Sequence, residues 1–589
     1  MAKFILSNKE NIVEKIVADS CSVGFKVSGS YKVSAFYNCF YKLSNPNCNF
    51  LTIVDDFVSV TGTCIYKGVH GEDALKAIYS DFNSNMDINS IRDEVIGNCA
   101  FIIKKDDKIF VFGEYNAFYD IYFYSKNGLW IVAHDLYDVY KSIKDLNINK
   151  LNMLEHLSLG CNYCGETMFD DVYRLQDNES LTINLLDGSI TKYEFNVEWK
   201  GKEKLTYEES VSKISSTLKS ISKTFYDNFG IPALSSTGGL DNRLNLAMFL
   251  ANGIKPDLYY GIGNSGATNT FPGDLMVNKE FEKNFGTKLH QVSWNSSNPI
   301  DRDWEELKNK YGFSSVCYAG AKDFFEAYEN IPNSSLLFGY MGELYRNLDV
   351  WEVRKFKSMT LDEYIDEYLI KSFINSKTKL FDDIDKIKQH LYRQLKKVCK
   401  KWNIDINSIS SEDEFFLNLE RRRCSDVVIV NLVNYHHYCS YLIGNHQVLS
   451  FVAPILAKSK LKCKFQLDIL KELYPQVLHI PFFSHCRMRV YEPKTNTLRE
   501  KKTFLQILKQ CIPSQCRTIV KDNIPKVLRP SKEVKKMNED LFDQGTYLAL
   551  QKIFKEHNLL EGKDYNAWID GRLDRLFMSY AQELFLFSK

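Results

Sequence analysis

A chain of 589 residues with 75 Lys+Arg against 74 Asp+Glu carries a net charge of +1, so no global field draws it to nucleic acid or to an anionic membrane. Hydrophobic residues at 44% and aromatics at 14% place it among globular proteins, with core enough for roughly two to four domains. Scattered cysteines (15), a start MAKFILSNKENIVEK without a charged-then-apolar signal, and no apolar stretch of membrane-spanning length lead to the expectation of a cytoplasmic protein with reduced thiols.

Residues 23–200 are rich in short β-branched and aromatic runs, at 50–54, 57–60, 100–103, 108–112, 121–124 and 129–133. Their alternation predicts paired antiparallel sheets, with a helix near 72–83 and hairpin turns at 105–108 and 125–128. Cys161 and Cys164 form a CxxC, but no second pair or histidine stands near enough in sequence for zinc, so both read as core or loop thiols.

Thr206 and Glu209 make a capping box, and apolar spacing carries that helix to about Tyr226. A short apolar strand then ends near Leu234, and a turn, Ser235-Ser236-Thr237-Gly238-Gly239, precedes a helix starting at Leu240 or Asp241. Adjacent glycines let backbone approach a ligand, and the hydroxyls with the unpaired amides of the helix start make an anion cradle. Asp241 stands where a phosphate-binding loop needs a Mg²⁺ ligand. A second unit follows, with a strand at 257–260, a helix at 274–284 and a strand at 289–294; such alternation predicts a parallel sheet with ligand at its carboxyl ends.

Gly261, Gly263 and Gly266 spell GxGxxG after a strand, so a Rossmann oxidoreductase site enters as a reading. A dinucleotide site needs its helix to open at the third glycine; here a loop through Pro272 intervenes, and Gly261 reads as part of a glycine loop over a nucleotide. Further on, 336–346 (LLFGYMGELYR) runs from a buried strand through Gly339 to a carboxylate, Glu343, again the shape of a metal–phosphate site. Helices are expected at 361–373, 383–401, 413–441 and 464–473. The third carries Arg421-Arg422-Arg423, which reads either as a carboxylate or phosphate contact or as a solvated basic face. His436 and His437, adjacent on that helix, point too far apart for a metal and read as core or surface residues. Residues 497–536 are basic and 538–589 look helical.

Thr237-Gly238-Gly239-Leu240-Asp241-Asn242-Arg243 resembles the pyrophosphate loop S/T-G-G-x-D-S-R of the asparagine synthetase family, which includes β-lactam synthetases and lasso-peptide cyclases. Gly339–Glu343 is similar to that family's G-x-G-x-D-E motif, and looser matches in the same order run from Gly97 to Pro481. The resemblance implies an α/β protein: a β-rich, glutaminase-like (Ntn-type) sandwich over 1–200, a parallel-sheet ATP-binding domain over 201–495, and a basic, helical extension over 496–589. It implies ATP and Mg²⁺ as cofactors, with Ser236, Thr237, Gly238, Gly239, Asp241, Asn242, Arg243, Gly261 and Gly339 around the nucleotide, and Asp241 and Glu343 on the metal. Tyr340 falls where β-lactam synthetases carry a catalytic tyrosine, or it is an aromatic packed over the loop; Arg421 falls on the family's arginine helix.

Such an enzyme adenylates a small-molecule or peptide carboxylate, releases pyrophosphate, and forms an amide when an amine displaces AMP. Nucleic acid and membrane have no place in it, and a homodimer is compatible with it. Family glutaminases use an N-terminal cysteine as nucleophile. Position 2 is Ala2 here, and Cys21 would serve only after loss of a propeptide, so glutamine hydrolysis is not expected. Asn242, Ser450 and Val452 replace a family Ser, Glu and Arg, which keeps open an alternative: a nucleotide-binding scaffold or sensor without turnover.

Overall fold

The computed structural model describes residues 3–33, 36–42, 49–82, 87–195, 205–263, 272–294, 309–310, 312, 327–346, 349–374, 384–484 and 487–500. The first part contributes β1 (Lys3–Ser7), β2 (Lys26–Val33), β3 (Phe36–Lys42), β4 (Phe50–Ile53), β5 (Asp56–Tyr66), β6 (Val95–Lys105), β7 (Lys108–Gly113), β8 (Tyr122–Lys126), β9 (Leu129–Ala133), β10 (Val172–Arg174), β11 (Glu179–Asn184) and β12 (Ile190–Glu194). They form two six-stranded sheets, β10-β8-β9-β1-β3-β2 and β12-β11-β7-β6-β5-β4. Every pair in both is antiparallel.

The two-residue period of a strand explains the layering. Ala100 and Ile102 of β6 face Phe4, Leu6, Trp130 and Val132 of the other sheet, while Cys99, Phe101 and Ile103 face Ala74, Leu75 and Ile78 of the helix Gly71–Asp81. Ile5 points to the opposite side of its sheet, into a cluster with Val13 and Ile16 of the helix Glu10–Ser22. The result is a helix–sheet–sheet–helix stack. The expected hairpins are present: Lys105 pairs with Lys108, and Lys126 with Leu129. Asn127 and Gly128 between the second pair both have positive φ, the conformation of a tight hairpin turn.

A capping box at Thr206 and Glu209 starts the helix Tyr207–Phe229. Then β13 (Ala233–Ser235), β14 (Asp257–Gly263), β15 (Lys288–Trp294) and β16 (Leu336–Leu337) form a wholly parallel sheet in the order β15-β14-β13-β16. One core cluster joins the halves, holding Ile5, Ile131 and Ala133 together with Leu234, Leu336 and Tyr441. The chain is therefore mixed α/β, with antiparallel sheets first and a parallel sheet after them.

Two helices differ from expectation. The one expected at 361–373 is an α-turn, Leu361–Tyr364, that widens into the π-helix Ile365–Ile374. The one expected at 413–441 splits into Glu414–Ser425 and Val427–Val433. The break has a cause: the Tyr441 hydroxyl donates to the Asp426 carbonyl, and Arg422 Nη1 to the Asp426 carboxylate at 2.8 Å. His436 and His437 consequently lie beyond the helix. A last antiparallel sheet comprises β17 (Phe482–Ser484), β18 (Arg487–Glu492) and β19 (Thr497–Glu500). Among the described residues, no helix is long and apolar enough to cross a membrane. Residues 196–204, at the expected domain boundary, and the extension beyond Glu500 lie outside the described residues.

Candidate functional site

Parallel pairing of β13 with β16 (Ala233 beside Leu336, Leu234 beside Leu337) sends both strands' carboxyl ends the same way. The loop after β13 and the loop after β16 therefore meet. In the first, the Ser236 N–H donates to the Tyr259 carbonyl at 2.8 Å, and the Ser236 carbonyl accepts from Asn278 Nδ2 at 3.2 Å. The Thr237 Oγ1 accepts from Asn242 Nδ2 at 2.8 Å and from the Gly239 N–H at 3.4 Å. Asn242, the departure from the family serine, thus braces the loop. The Gly238 N–H donates to Asp274 Oδ1 at 2.6 Å, so this amide already holds an anionic oxygen, one of the chain's own.

The second loop closes on the first through glycines. A Cβ on Gly339 would stand 2.2 Å from Asn242 Oδ1 and 2.8 Å from its backbone nitrogen; one on Gly342 would stand 2.0 Å from Asp241 Cγ. Between them Met341 is fully buried at φ +73, a conformation a non-glycine residue keeps only where its surroundings enforce it. Asn245 Nδ2 adds a bond to the Phe338 carbonyl at 3.0 Å.

Beneath the loops lies a charge cluster. Asp241 accepts from Arg346 Nη2 on Oδ2 at 2.9 Å and from Gln466 Nε2 on Oδ1 at 2.8 Å. Glu343 Oε1 lies 3.8 Å from Arg346 Nη2 and 3.7 Å from Arg422 Nη2. Burial pushes the Asp241 carboxyl up, Arg346 opposes that, and Glu343 adds to it. Glu343 Oε2 is buried without a hydrogen-bond partner. Mg²⁺ takes oxygen ligands in a near-octahedral shell, and here each Asp241 oxygen already accepts one N–H. No group of three or more His, Cys, Asp or Glu among the described residues is placed to hold a metal.

Arg243 directs its side chain into the protein interior. Its guanidinium is fully buried, donates to the carbonyls of Val477, Ile480 and Pro481 at 2.6, 2.6 and 2.7 Å, and lies 3.5 Å from the centroid of the Phe482 ring. It ties the helix to the segment before β17 and, through Nη2, reaches back to the Gly238 carbonyl of the first loop at 3.5 Å. Arg421 is buried beside Tyr163, Tyr368 and Cys161; the arginine that reaches Glu343 is its neighbour Arg422. Tyr340 packs between Phe338 and Tyr441, with ring centroids 6.2 and 5.7 Å away. Gly261 pairs with Val292 within the sheet; Gly266 lies outside the described residues, and the next helix opens at Pro272. Of the residues that meet the loops, Asp274 opens the helix expected at 274–284 and Arg346 closes the second motif, whereas nothing local marks Gln466.

Cys21, the alternative N-terminal nucleophile, is exposed on the helix Glu10–Ser22. Freeing it would delete β1, which pairs with both β9 and β3. Cys161 is buried, and the Cys164 thiol donates to the Gln394 carbonyl at 3.1 Å. His437 lies against the Asn333 and Tyr328 carbonyls, and His436 against Glu329 at 3.2 Å. Ser450 donates to the Gln447 carbonyl, and Val452 is fully buried.

No family model and no curated protein matches the chain. Among solved structures it is similar to glutamine phosphoribosylpyrophosphate amidotransferase from B. subtilis, complexed with ADP and GMP, at 8% identity and a TM-score of 0.24, over 52% of this chain and 92% of that one. It is likewise similar to a structure described as the allosteric regulatory enzyme of purine biosynthesis, at 9% identity and a TM-score of 0.23, over 51% and 67% of the two chains. Similarity at this level assigns no activity.

Proposed function

We propose that the chain is an ATP-dependent, amide-bond-forming synthetase. The observation that supports this is the meeting of two glycine loops at the carboxyl ends of adjacent parallel strands, with Gly339 against Asn242 and Gly342 against Asp241. Ligands of open α/β sheets bind at such ends. In the reaction a substrate carboxylate oxygen attacks the α-phosphorus of ATP, the α–β bridging bond breaks, and pyrophosphate leaves. An amine then attacks the acyl carbon, AMP departs with the bonding pair, and the nitrogen gives up a proton.

The first loop's hydroxyls and amides would hold the departing pyrophosphate, in the manner of other helix N-termini. Arg346 and Arg422 would stabilise its charge through preorganised donors. Ammonia, or an amine on the substrate, would be the acyl acceptor.

A second reading, nucleotide binding without turnover, is favoured by the engagement of Asp241 with Arg346 and Gln466. The test is incubation of the full chain with ATP and small-molecule extract from its source, followed by mass spectrometry. AMP and pyrophosphate made by the wild type and not by Asp241→Ala support the synthetase. Firm ATP binding with no AMP supports the second reading, and no ATP binding overturns both.

A further inference from the structure

Asp241 and Glu343 are the two carboxylates that a polyphosphate site of this shape would use on a divalent cation, yet the space between them is filled. One nitrogen, Arg346 Nη2, lies 2.9 Å from Asp241 Oδ2 and 3.8 Å from Glu343 Oε1. Arg422 Nη2 stands 3.7 Å from that same Glu343 oxygen, and Gln466 Nε2 takes the remaining Asp241 oxygen at 2.8 Å. Both Asp241 oxygens therefore accept N–H donors, whereas Glu343 Oε1 stands at ion-pair distance from the two guanidinium groups and Glu343 Oε2 is buried without a hydrogen-bond partner. Two negative charges are met by two guanidinium groups, and the Asp426 carboxylate holds Arg422 from its far side at 2.8 Å.

A cation entering here would have to displace the N–H donors on Asp241 and would lie against the positive charge of Arg346. A guanidinium, by contrast, carries five donors in a planar fork and can serve carboxylate and phosphate together. Arg346 is held by Asp241 and the Cys463 thiol, yet keeps 29% of its side chain exposed, so an incoming anion can reach it.

We infer that Arg346 takes the place of the divalent cation, so that this site binds a nucleotide polyphosphate without metal. The inference rests on the synthetase or nucleotide-binding reading for its ligand, though its metal half does not. Gly342 supports it: lacking Cβ, it lets Asp241 sit close under the loop where Arg346 meets it. Arg346→Met would leave the two carboxylates facing each other with one cationic neighbour, and thereby create the metal requirement that the wild type lacks.

Two measurements on the full chain test this. Binding of Mn²⁺ alone, followed by its electron paramagnetic resonance, is expected to be absent at this site in the wild type and gained in Arg346→Met. ATP titrated in EDTA and in Mg²⁺ is expected to bind the wild type within about twofold of equally, and to bind Arg346→Met at least about tenfold better with Mg²⁺. Arg346→Lys keeps the charge but loses the fork, and is expected to exclude Mn²⁺ as the wild type does while binding ATP more weakly in both buffers, which separates the effect from misfolding. Wild-type uptake of Mn²⁺ abolished by Asp241→Asn, or ATP binding lost in EDTA and restored by Mg²⁺, would overturn the inference while leaving the nucleotide reading intact. A wild type that binds ATP in neither buffer would overturn both.

Discussion

Gly342 lies so close to Asp241 that a single methyl group between them would stand 2.0 Å from the carboxylate carbon. The two residues belong to motifs far apart in the chain, brought together by the parallel pairing of β13 and β16. That contact makes one site of two glycine turns, either of which alone is an ordinary strand-to-helix connection.

Arg243 is expected to be a stability residue despite standing in the phosphate motif. Burial without a carboxylate beside it pushes its guanidinium well below the usual arginine range, and backbone carbonyls carry its bonds. Arg243→Met should cost on the order of 3 kcal/mol, by orphaning those carbonyls and loosening the segment before β17. Urea unfolding of the variant checks this; an unchanged midpoint would contradict it.

The buried pair Asp120 and His134 should give two opposed pH dependences. The His134 Nδ1–H donates to the Asp120 carbonyl at 2.8 Å. Burial pushes His134 down from 6.5 to about 3, so the unfolded chain takes up a proton the folded one refuses, and stability falls as pH drops through that window. Burial pushes the Asp120 carboxyl up from 3.8 to about 6, so the folded chain keeps a proton the unfolded one loses, and stability falls as pH rises through that window. The slopes, each at most about 1.4 kcal/mol per pH unit, offset one another where they overlap. Relative to wild type, Asp120→Asn should be more acid-sensitive between about pH 4 and 6, and His134→Gln more sensitive to rising pH. Denaturant midpoints across that range decide; parallel curves for all three proteins would contradict the pairing.

Lys3 should anchor the first sheet. Its ammonium is fully buried, 2.9 Å from Asp135 and 3.9 Å from Asp138, and lies over the Phe25 and Tyr435 rings. Lys3→Met leaves the buried Asp135 carboxylate without its cation and should cost about 3–5 kcal/mol, with part recovered by adding Asp135→Asn. Thermal unfolding of the single and double variants measures both; no recovery in the double variant would contradict the pairing.

Period and turn chemistry made much of the fold legible. The strands around Lys108–Gly113 and Leu129–Ala133, the capping box at Thr206, and the strand–loop–helix around Gly238 all carry local signals. β1 was missed because its run is short and its partners, β9 and β3, are distant in sequence. The split of the 413–441 segment was missed because it depends on Tyr441 reaching back to the Asp426 carbonyl. At the site, glycines and carboxylates were readable as a pattern. Which cation meets Asp241, and which of three consecutive arginines faces Glu343, are set by helix rotation and packing, and no spacing rule states them.

The most direct measurement is calorimetric titration of ATP into the full chain and into Gly342→Ala, with far-UV circular dichroism to confirm that both are folded. Convergence of the two loops into one polyphosphate site predicts saturable binding to the wild type, weakened at least about tenfold by the added methyl group. A folded wild type that binds no ATP, or a Gly342→Ala variant that binds it equally well, would contradict the account.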